Sequence, residues 1–392
     1  MGDFAVNTST AGGQSQPCAD ALFGSGVFTA VWADDGVAGI KGRHIGTSGT
    51  AVGPEFLVSD MQPGNNTNRQ RPFVDSIGGK SFATWIERPF NLPPPTPHVV
   101  LRRLADNQPI GSTVAVSTED IDPSWPPTVT RMIDGGCLVT WTGGSKQRRI
   151  RAQRFGPDGE KEGGEIAVNT SEAFHTDATV TVLSNGDFVV AWTDGAPTGG
   201  SGLVYRVFAF DGTPRTSEKR PRVTGFGRLG RSVLTALDNG RFVAAHIDTT
   251  VDSPLGVSQT TAVASIFDPA GNGDAVTSAF TGSPKHFHRT SPALTALPGG
   301  RFVLAWVEQS ADTVDTVPTV MAQLCSDSEL SIGPKVQASV GAAKNRFDLS
   351  AAALFDDGDS SPTVFLSWTS MAGDGDTSVH GCVLTAAPDG LS

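Results

Sequence analysis

One strand is written seven times along this chain: Phe28-Thr-Ala-Val-Trp32, Phe82-Ala-Thr-Trp85, Leu138-Val-Thr-Trp141, Phe188-Val-Val-Ala-Trp192, Phe242-Val-Ala-Ala-His246, Phe302-Val-Leu-Ala-Trp306 and Phe365-Leu-Ser-Trp368. Consecutive copies lie 53, 56, 51, 54, 60 and 62 residues apart. Running from Trp368 off the C-terminus and back in at residue 1 to Trp32 covers 56 residues, the same period. A repeat that closes on itself describes a ring, not an open stack.

Each copy has the same grammar. A strand such as Ala178-Thr-Val-Thr-Val-Leu183 precedes a polar turn, Ser184-Asn-Gly-Asp187, and then the Phe…Trp strand. A variable connection leads to a third strand such as Ile150-Arg-Ala-Gln-Arg-Phe155, a Gly-Pro-Asp-Gly turn, and a fourth, Ile166-Ala-Val-Asn-Thr170. Four short β-rich runs per repeat, punctuated by Asn-Gly and Asp-Gly hairpin signals, predict an all-β, seven-bladed β-propeller with four antiparallel strands per blade. Phe4-Ala-Val-Asn-Thr-Ser9 copies the fourth strand of the third blade, and Ala387-Pro-Asp-Gly390 copies the turn before it. The N-terminal strand should therefore complete the last blade beside Val379–Leu384 and close the ring, hiding its edges. One domain accounts for residues 1–392, with blades at roughly 18–70, 71–125, 126–176, 177–230, 231–290, 291–349, and 350–392 together with 1–17.

Composition narrows the alternatives. Hydrophobic content of 38% is enough for a core, and the 46 glycines and 26 prolines are spread evenly, not pooled in a linker. No run approaches the length of a membrane helix, and Met1–Val6 lacks the look of a secretory leader. A cytoplasmic location is expected, or a secreted one if a leader has been removed. Net charge of −11 disfavours nucleic acid as a partner. The scattered Cys18, Cys137, Cys325 and Cys382 look like buried free thiols. No metal and no cofactor are expected. The His286-Phe-His288 pair is more simply read as two loop histidines, and the sequons at Asn7, Asn65 and Asn169 matter only after export.

Blades three, four and six carry the pattern Pro-x-Val-x-x-Leu-x-Asn/Asp-Gly-x-Phe-Val-Val-x-Trp, followed by Ala-Gln-x-Phe-x-x-x-Gly and Val-Asn-Thr. This resembles the propeller repeats associated with hemolysin-type calcium-binding proteins, over the whole chain. It is also similar to the propellers of the cylindrocyclophane alkylating enzyme and of stand-alone hetero-Diels–Alderases. The resemblance specifies a scaffold strongly and an activity weakly. The calcium-binding nonapeptide itself is absent.

Turns between the first and second strands, and between the third and fourth, are short and uniform. The other face carries connections that are long and all different: Glu87–Pro97, Thr193–Gly202, Ile247–Thr261, Val307–Pro318 and Thr369–Ser378. Function favours irregular segments on a rigid frame. The chain also crosses from blade to blade on that face, through Gln14-Ser-Gln16, Arg69-Gln-Arg71, Ser124-Trp125, His175-Thr-Asp177, Arg228 with Arg231, His286-Phe287-His288-Arg289 and Arg346-Phe347-Asp348. Gathered at the channel mouth, these arginines and histidines would hold an anionic or polarised oxygen. The plainer alternative is that they bond blade-end carbonyls and neighbouring acids. The chemical roles fall to Arg69, Arg71, Arg228, Arg231, Arg346, His175 and His288 as donors, with Asp177 or Asp348 as base. Trp125, as a stacking wall or a rigid plug, joins His286, Phe287, Arg289 and Phe347 as a ligand contact. His246 interrupts the tryptophan series, and a packed histidine is its simpler account.

Such equipment suits a cofactor-independent enzyme forming C–C bonds by cycloaddition, cyclisation or phenol alkylation. Its substrate would be a small aromatic or polyketide/terpenoid molecule whose carbonyl, phenolate or quinone methide oxygen is polarised. A carbohydrate-binding propeller and a protein scaffold are the alternatives. Multivalent lectins repeat a site on every blade, which these unequal connections do not.

Overall fold

The structure is a computed structural model that describes residues 2–60, 67–77, 79–89, 96–105, 108–144, 148–172, 174–195, 201–221, 232–252, 257–271, 275, 277–286, 292–309, 317–329, 331–355 and 361–392. Seven sheets follow one another around a ring, as the repeat requires. After β1 (Phe4–Ala5), the first blade is β2 (Gln14–Leu22), β3 (Val27–Asp34), β4 (Gly39–Gly46) and β5 (Ala51–Leu57). The second is β6 (Thr67–Ile77), β7 (Lys80–Pro89), β8 (His98–Ala105) and β9 (Gln108–Ala115). The third is β10 (Thr128–Arg131), β11 (Cys137–Gly143), β12 (Arg149–Phe155) and β13 (Lys161–Ala167). In the fourth, β14 (Phe174–Val182), β15 (Phe188–Gly195) and β16 (Ser201–Phe208) form the ladder, and the bridges Tyr205–Lys219 and Phe208–Pro214 supply its outer edge. The fifth is β17 (Val233–Ala236), β18 (Phe242–Asp252), β19 (Val257–Phe267) and β20 (Thr277–His286). The sixth is β21 (Ala293–Leu297), β22 (Arg301–Glu308), β23 (Thr319–Ser326) and β24 (Ile332–Gln337). The seventh is β25 (Asn345–Leu354), β26 (Thr363–Met371) and β27 (Thr377–Ala387), edged by β1 and by β28 (Gly390–Leu391).

Closure is as expected. Phe4 pairs with Gly381 and Ala5 with His380, and Val6 then donates its N–H to the Val379 carbonyl at 2.8 Å. Asn7 accepts the Val379 N–H at 2.7 Å and donates its amide to the Ser9 carbonyl at 2.8 Å. Asn169 repeats that last bond to Ser171 at 2.9 Å, so these two sequons have their amide nitrogens engaged, while Asn65 lies outside the described residues.

Seven apolar clusters fill the seven seams between neighbouring sheets, and six of them hold one repeat tryptophan each. Trp32, Trp85, Trp141, Trp192, Trp306 and Trp368 expose at most 4% of their surface. The seam between blades four and five lacks a tryptophan because His246 stands there, and the chain's single tyrosine takes up the space. Tyr205 packs against Phe242 and Phe267 at 5.1 and 5.3 Å between ring centres. The Ala-Gln motif also has a cause: Gln153 sits at a bulge between β12 and β13, donating to the Arg154 and Glu162 carbonyls at 3.0 and 3.1 Å. Gln323 does the same in blade six. All four cysteines are free and buried.

Two expected connections are corrected. Ile247–Thr261 is mostly ladder, since β18 and β19 stay paired out to Asp252 and Val257. Thr369–Ser378 is likewise a tight hairpin, with Met371 paired to Thr377.

Candidate functional site: the crossing end of the central channel

The first strands of the blades line the channel, and their residues fall into tiers fixed by register. The outermost tier sits opposite the position two residues after the repeat tryptophan: Gln14 faces Asp34, Arg69 faces Glu87, His175 faces Asp194 and Arg346 faces Ser370. These side chains turn into the protein. Arg69 is 6% exposed; its Nε donates to Glu87 Oε1 at 2.7 Å and its Nη1 to the Ala38 carbonyl of the preceding blade at 3.1 Å. His175 is fully buried, with Nε2 3.0 Å from Ser171 Oγ and Nδ1 3.4 Å from Asp194, which also pairs with Arg220. Arg346 is 2% exposed and donates to the carbonyls of Pro318, Val340 (2.9 Å) and Gly341 (3.0 Å). Blade seven has Ser370 where blades one, two and four have an acid, and the hydrogen bonds of this guanidinium go to carbonyls. The expectation that Arg69, His175 and Arg346 face a ligand is corrected: each ties a blade crossing, as the plainer alternative held.

Two residues further on, the strand bulges. Register shifts fall between Ser15 and Cys18, Gln70 and Phe73, Thr176 and Thr179, and Phe347 and Ser350. At each bulge a side-chain-bearing residue adopts left-handed backbone: Gln16 (φ 57°), Arg71 (57°), Asp177 (62°) and Asp348 (53°). Such a conformation costs a non-glycine residue about 1 kcal/mol or more. Part of the return is structural, because the side chain reaches the next blade. Gln16 Oε1 accepts the Arg71 N–H at 2.7 Å, and Asp177 accepts the Ser232 N–H at 2.8 Å. Asp348 instead accepts the hydroxyl of Thr369, in its own blade, at 3.2 Å. A guanidinium accepts no hydrogen bond, so Arg71 does not take the next blade's N–H as Gln16 and Asp177 do.

Gln16, Arg71 and Asp348 open onto a channel cavity of about 230 Å3 to which all seven first strands contribute. Deeper in, opposite the residue three before each tryptophan position, lies the tier Asp20, Asp75, Thr130, Thr181, Thr235, Thr295 and Ala352. Asp20 accepts the Ser76 N–H at 2.6 Å, Asp75 the Arg131 N–H at 3.0 Å, and the Thr181 hydroxyl the Ala236 N–H at 3.0 Å. Burial, and then the neighbouring Asp75 charge, push the Asp20 carboxyl well above the usual carboxylate range. Burial also raises Asp75, against the pull of the Arg131 N–H and guanidinium. Neither aspartate was singled out from the sequence. Aligning the seven copies by register finds them, but the turn before the Phe…Trp strand, expected to be uniform, is longer in blades one and seven and shorter in blade two, which hides the alignment.

The cavity is not sevenfold. Among its described lining residues, every ionisable side chain of this set (Asp20, Asp75, Arg71 and Asp348), with Gln16, lies on the contiguous blades seven, one and two. Blades three to six contribute Pro126, Val129, Val180, Leu234 and threonines. The mouth expected to be cationic thus presents three carboxyls and one guanidinium in this lining.

Other expected residues fall elsewhere. Trp125 is half-buried in the turn before β10, its N–H 3.4 Å from the Asp122 carbonyl, and it is Pro126 that lines the cavity. Phe347 is half-buried in the ladder opposite Thr369. His246 is fully buried in a seam, as the simpler account held, and burial pushes its pKa down to about 4. His286 ends the outermost strand of its blade and so stands at the rim of the ring, away from the channel. Arg228, Arg231, Phe287, His288 and Arg289 lie outside the described residues. Among the described residues, no group of three or more His, Cys, Asp or Glu side chains is placed to hold a metal.

No known protein family's sequence profile matches the chain, and no curated protein does. Solved structures do. A Dyadobacter fermentans protein of unknown function aligns with a TM-score of 0.57 at 10% identity, covering 98% of this chain and 97% of that one. An ulvan lyase of polysaccharide lyase family 25, bound to -[GlcA(1-4)Rha3S]-, gives 0.56 at 12% identity, covering 97% and 94%. The Penicillium chrysogenum alpha-L-arabinanase complexed with arabinobiose gives 0.52 at 15% identity, covering 80% and 92%. At these identities the likeness is one of fold: this chain is a seven-bladed β-propeller, a fold it shares with carbohydrate-active enzymes.

Proposed function

We propose that the protein binds one small, oxygen-rich ligand of the carbohydrate class in the crossing-end cavity of its channel. The observation that carries this is the asymmetric lining: carboxyls, an amide and a guanidinium on blades seven, one and two, facing hydroxyls and short apolar side chains on blades three to six. Carboxylates and threonine hydroxyls are hydrogen-bonding partners for sugar hydroxyls, while the half-buried Val233, Leu234 and Leu294 offer an apolar surface to a ring face. A single uneven pocket differs from the repeated sites of a multivalent lectin. That two propellers of like fold act on or bind saccharides supports the class. Calorimetric titration with a panel of neutral, acidic and amino mono- and disaccharides tests it. We expect binding by at least one class that Arg71→Ala weakens about tenfold or more, the scale of one hydrogen bond to a charged group. No binding across the panel overturns the reading.

A second reading is favoured by Arg71 alone. A guanidinium on the rim opposite an apolar wall is placed to polarise an oxygen while two carbons are held together, as a C–C bond-forming enzyme requires. Turnover of a phenol or quinone methide substrate, lost equally in Arg71→Ala and Arg71→Lys, would select it over the first.

A further inference from the structure

The tier containing Asp20 and Asp75 invites a question that the ring's symmetry makes sharp. At Thr181 a hydroxyl suffices to accept the next blade's N–H, at 3.0 Å. Threonine stands at four of the seven equivalent positions. Blade-to-blade bonding therefore does not need a carboxyl, yet two adjacent blades carry one each. A carboxyl brings a second oxygen, and one oxygen of each pair member already satisfies the seam, at 2.6 Å from Ser76 N and 3.0 Å from Arg131 N. Both residues line the same cavity, on neighbouring strands β2 and β6, and their carboxyls lie close enough for each to shift the other's hold on a proton. Two carboxyls in such contact cannot both ionise without strong repulsion.

We propose that Asp20 and Asp75 share one proton across the seam of blades one and two, and that a ligand inserting between them replaces the bond they make to each other, accepting from Asp20 and donating to Asp75. The complementary chemistry is a pair of adjacent oxygens on the ligand, one accepting and one donating, as in a vicinal diol. This ligand half rests on the reading of the cavity as a carbohydrate site; the shared proton does not. The surroundings fix which residue holds the proton. Asp75 has the Arg131 guanidinium of β10 beside it, stabilising its charge. The same guanidinium reaches Asp20 less strongly than it does Asp75, and Asp20 feels the Asp75 charge. The other ionisable groups here are Cys137, at the start of β11, with a thiol that burial holds well above its ordinary value, and Asp134 in the turn before it. Arg71 and Asp348 stand on the rim above, and His44 lies behind Asp20's ladder partner Thr29, 3.2 Å from its hydroxyl.

Carboxyl carbon NMR of aspartate-labelled protein, followed against pH, tests this directly. We expect one carboxyl signal to stay protonated near neutral pH, to vanish in Asp20→Asn, and to titrate at lower pH in Asp75→Asn. Asp20→Thr, which copies four natural positions, serves if the asparagine variant folds poorly. All aspartates ionising near the ordinary carboxylate value would overturn the shared proton. For the ligand half, Asp20→Asn keeps a donor and should hold sugar affinity within about threefold, whereas Asp75→Asn removes the acceptor and should lower it about tenfold or more. Equal losses would overturn the donor–acceptor assignment. A shared proton in a protein that binds no sugar would instead leave the pair standing and sink the carbohydrate reading.

Discussion

Arg69 and Arg71 lie two residues apart in one strand, where alternation would place them side by side on one face. They do opposite work. Arg69 is folded away onto Glu87 and a carbonyl of the preceding blade, while Arg71 opens on the channel. The bulge between them explains the difference: an extra residue in left-handed backbone breaks the period of two and re-aims the strand. The same division recurs between His175 and Asp177 and between Arg346 and Asp348, so a tier of struts sits directly above a tier that bears on the cavity or the next blade.

Substitutions can break that comparison. Arg346→Ala should cost about 4 kcal/mol of stability in urea unfolding, because it strips three carbonyls of their donor inside the protein. Arg71→Ala should shift unfolding less than that while weakening ligand binding about tenfold or more; equal instability in both variants would erase the distinction between tiers. The next effect is pH-dependent. His246 has an ordinary pKa of 6.5 and is held at about 4 in the fold, so the unfolded chain takes up its proton first as pH drops. Stability should therefore fall as pH decreases from 6.5 to 4, by on the order of 3 kcal/mol. His246→Phe should remove that loss in a melting series. Asp20 acts with the opposite sign. Its raised pKa favours the fold at low pH, and that contribution should fade as pH rises from the ordinary 3.8 through the raised value. The Asp20→Asn melting curve should lack that slope. Smallest of all, Arg71→Gly should stabilise by about 1 kcal/mol, relieving left-handed strain while losing the ligand contact. A destabilised glycine variant would show the arginine to be another strut.

The ring, its closure and its buried tryptophans were legible because each copy of Phe…Trp carries the same apolar alternation and the period survives the termini. Where tight turns gave way to the variable connections, the sequence misled. In Ile247–Thr261, Thr, Ser and Gln sit in a ladder that sequence polarity reads as loop. The site was legible only in place. The gathering of these residues at the crossing end of the channel was legible, but charge type says nothing about which way a residue turns at a bulge. Arg69 and Arg346 therefore looked the same as Arg71. Asp20 and Asp75 sit inside strands that read as ordinary half-buried β, and only the pairing register shows that threonine is their counterpart on the other blades.

In the deep channel tier, the atom that would meet a ligand belongs to the same short side chain that moors one blade to the next. Thr181 and the two aspartates each accept a main-chain N–H across a seam, and at Ala352 the duty passes to Ser350, whose hydroxyl accepts the Ala19 N–H at 3.0 Å. Unless a neighbour takes over the bond as Ser350 does, the vocabulary open to this wall is then narrow: threonine, serine, aspartate or asparagine, residues that keep one oxygen for the seam. New specificity can be written only in the choice among these, and in the rim above, where Arg71 shows that a side chain without any acceptor is tolerated. A propeller built this way is free to change what it recognises at its lip, while its throat is held nearly constant by the joinery.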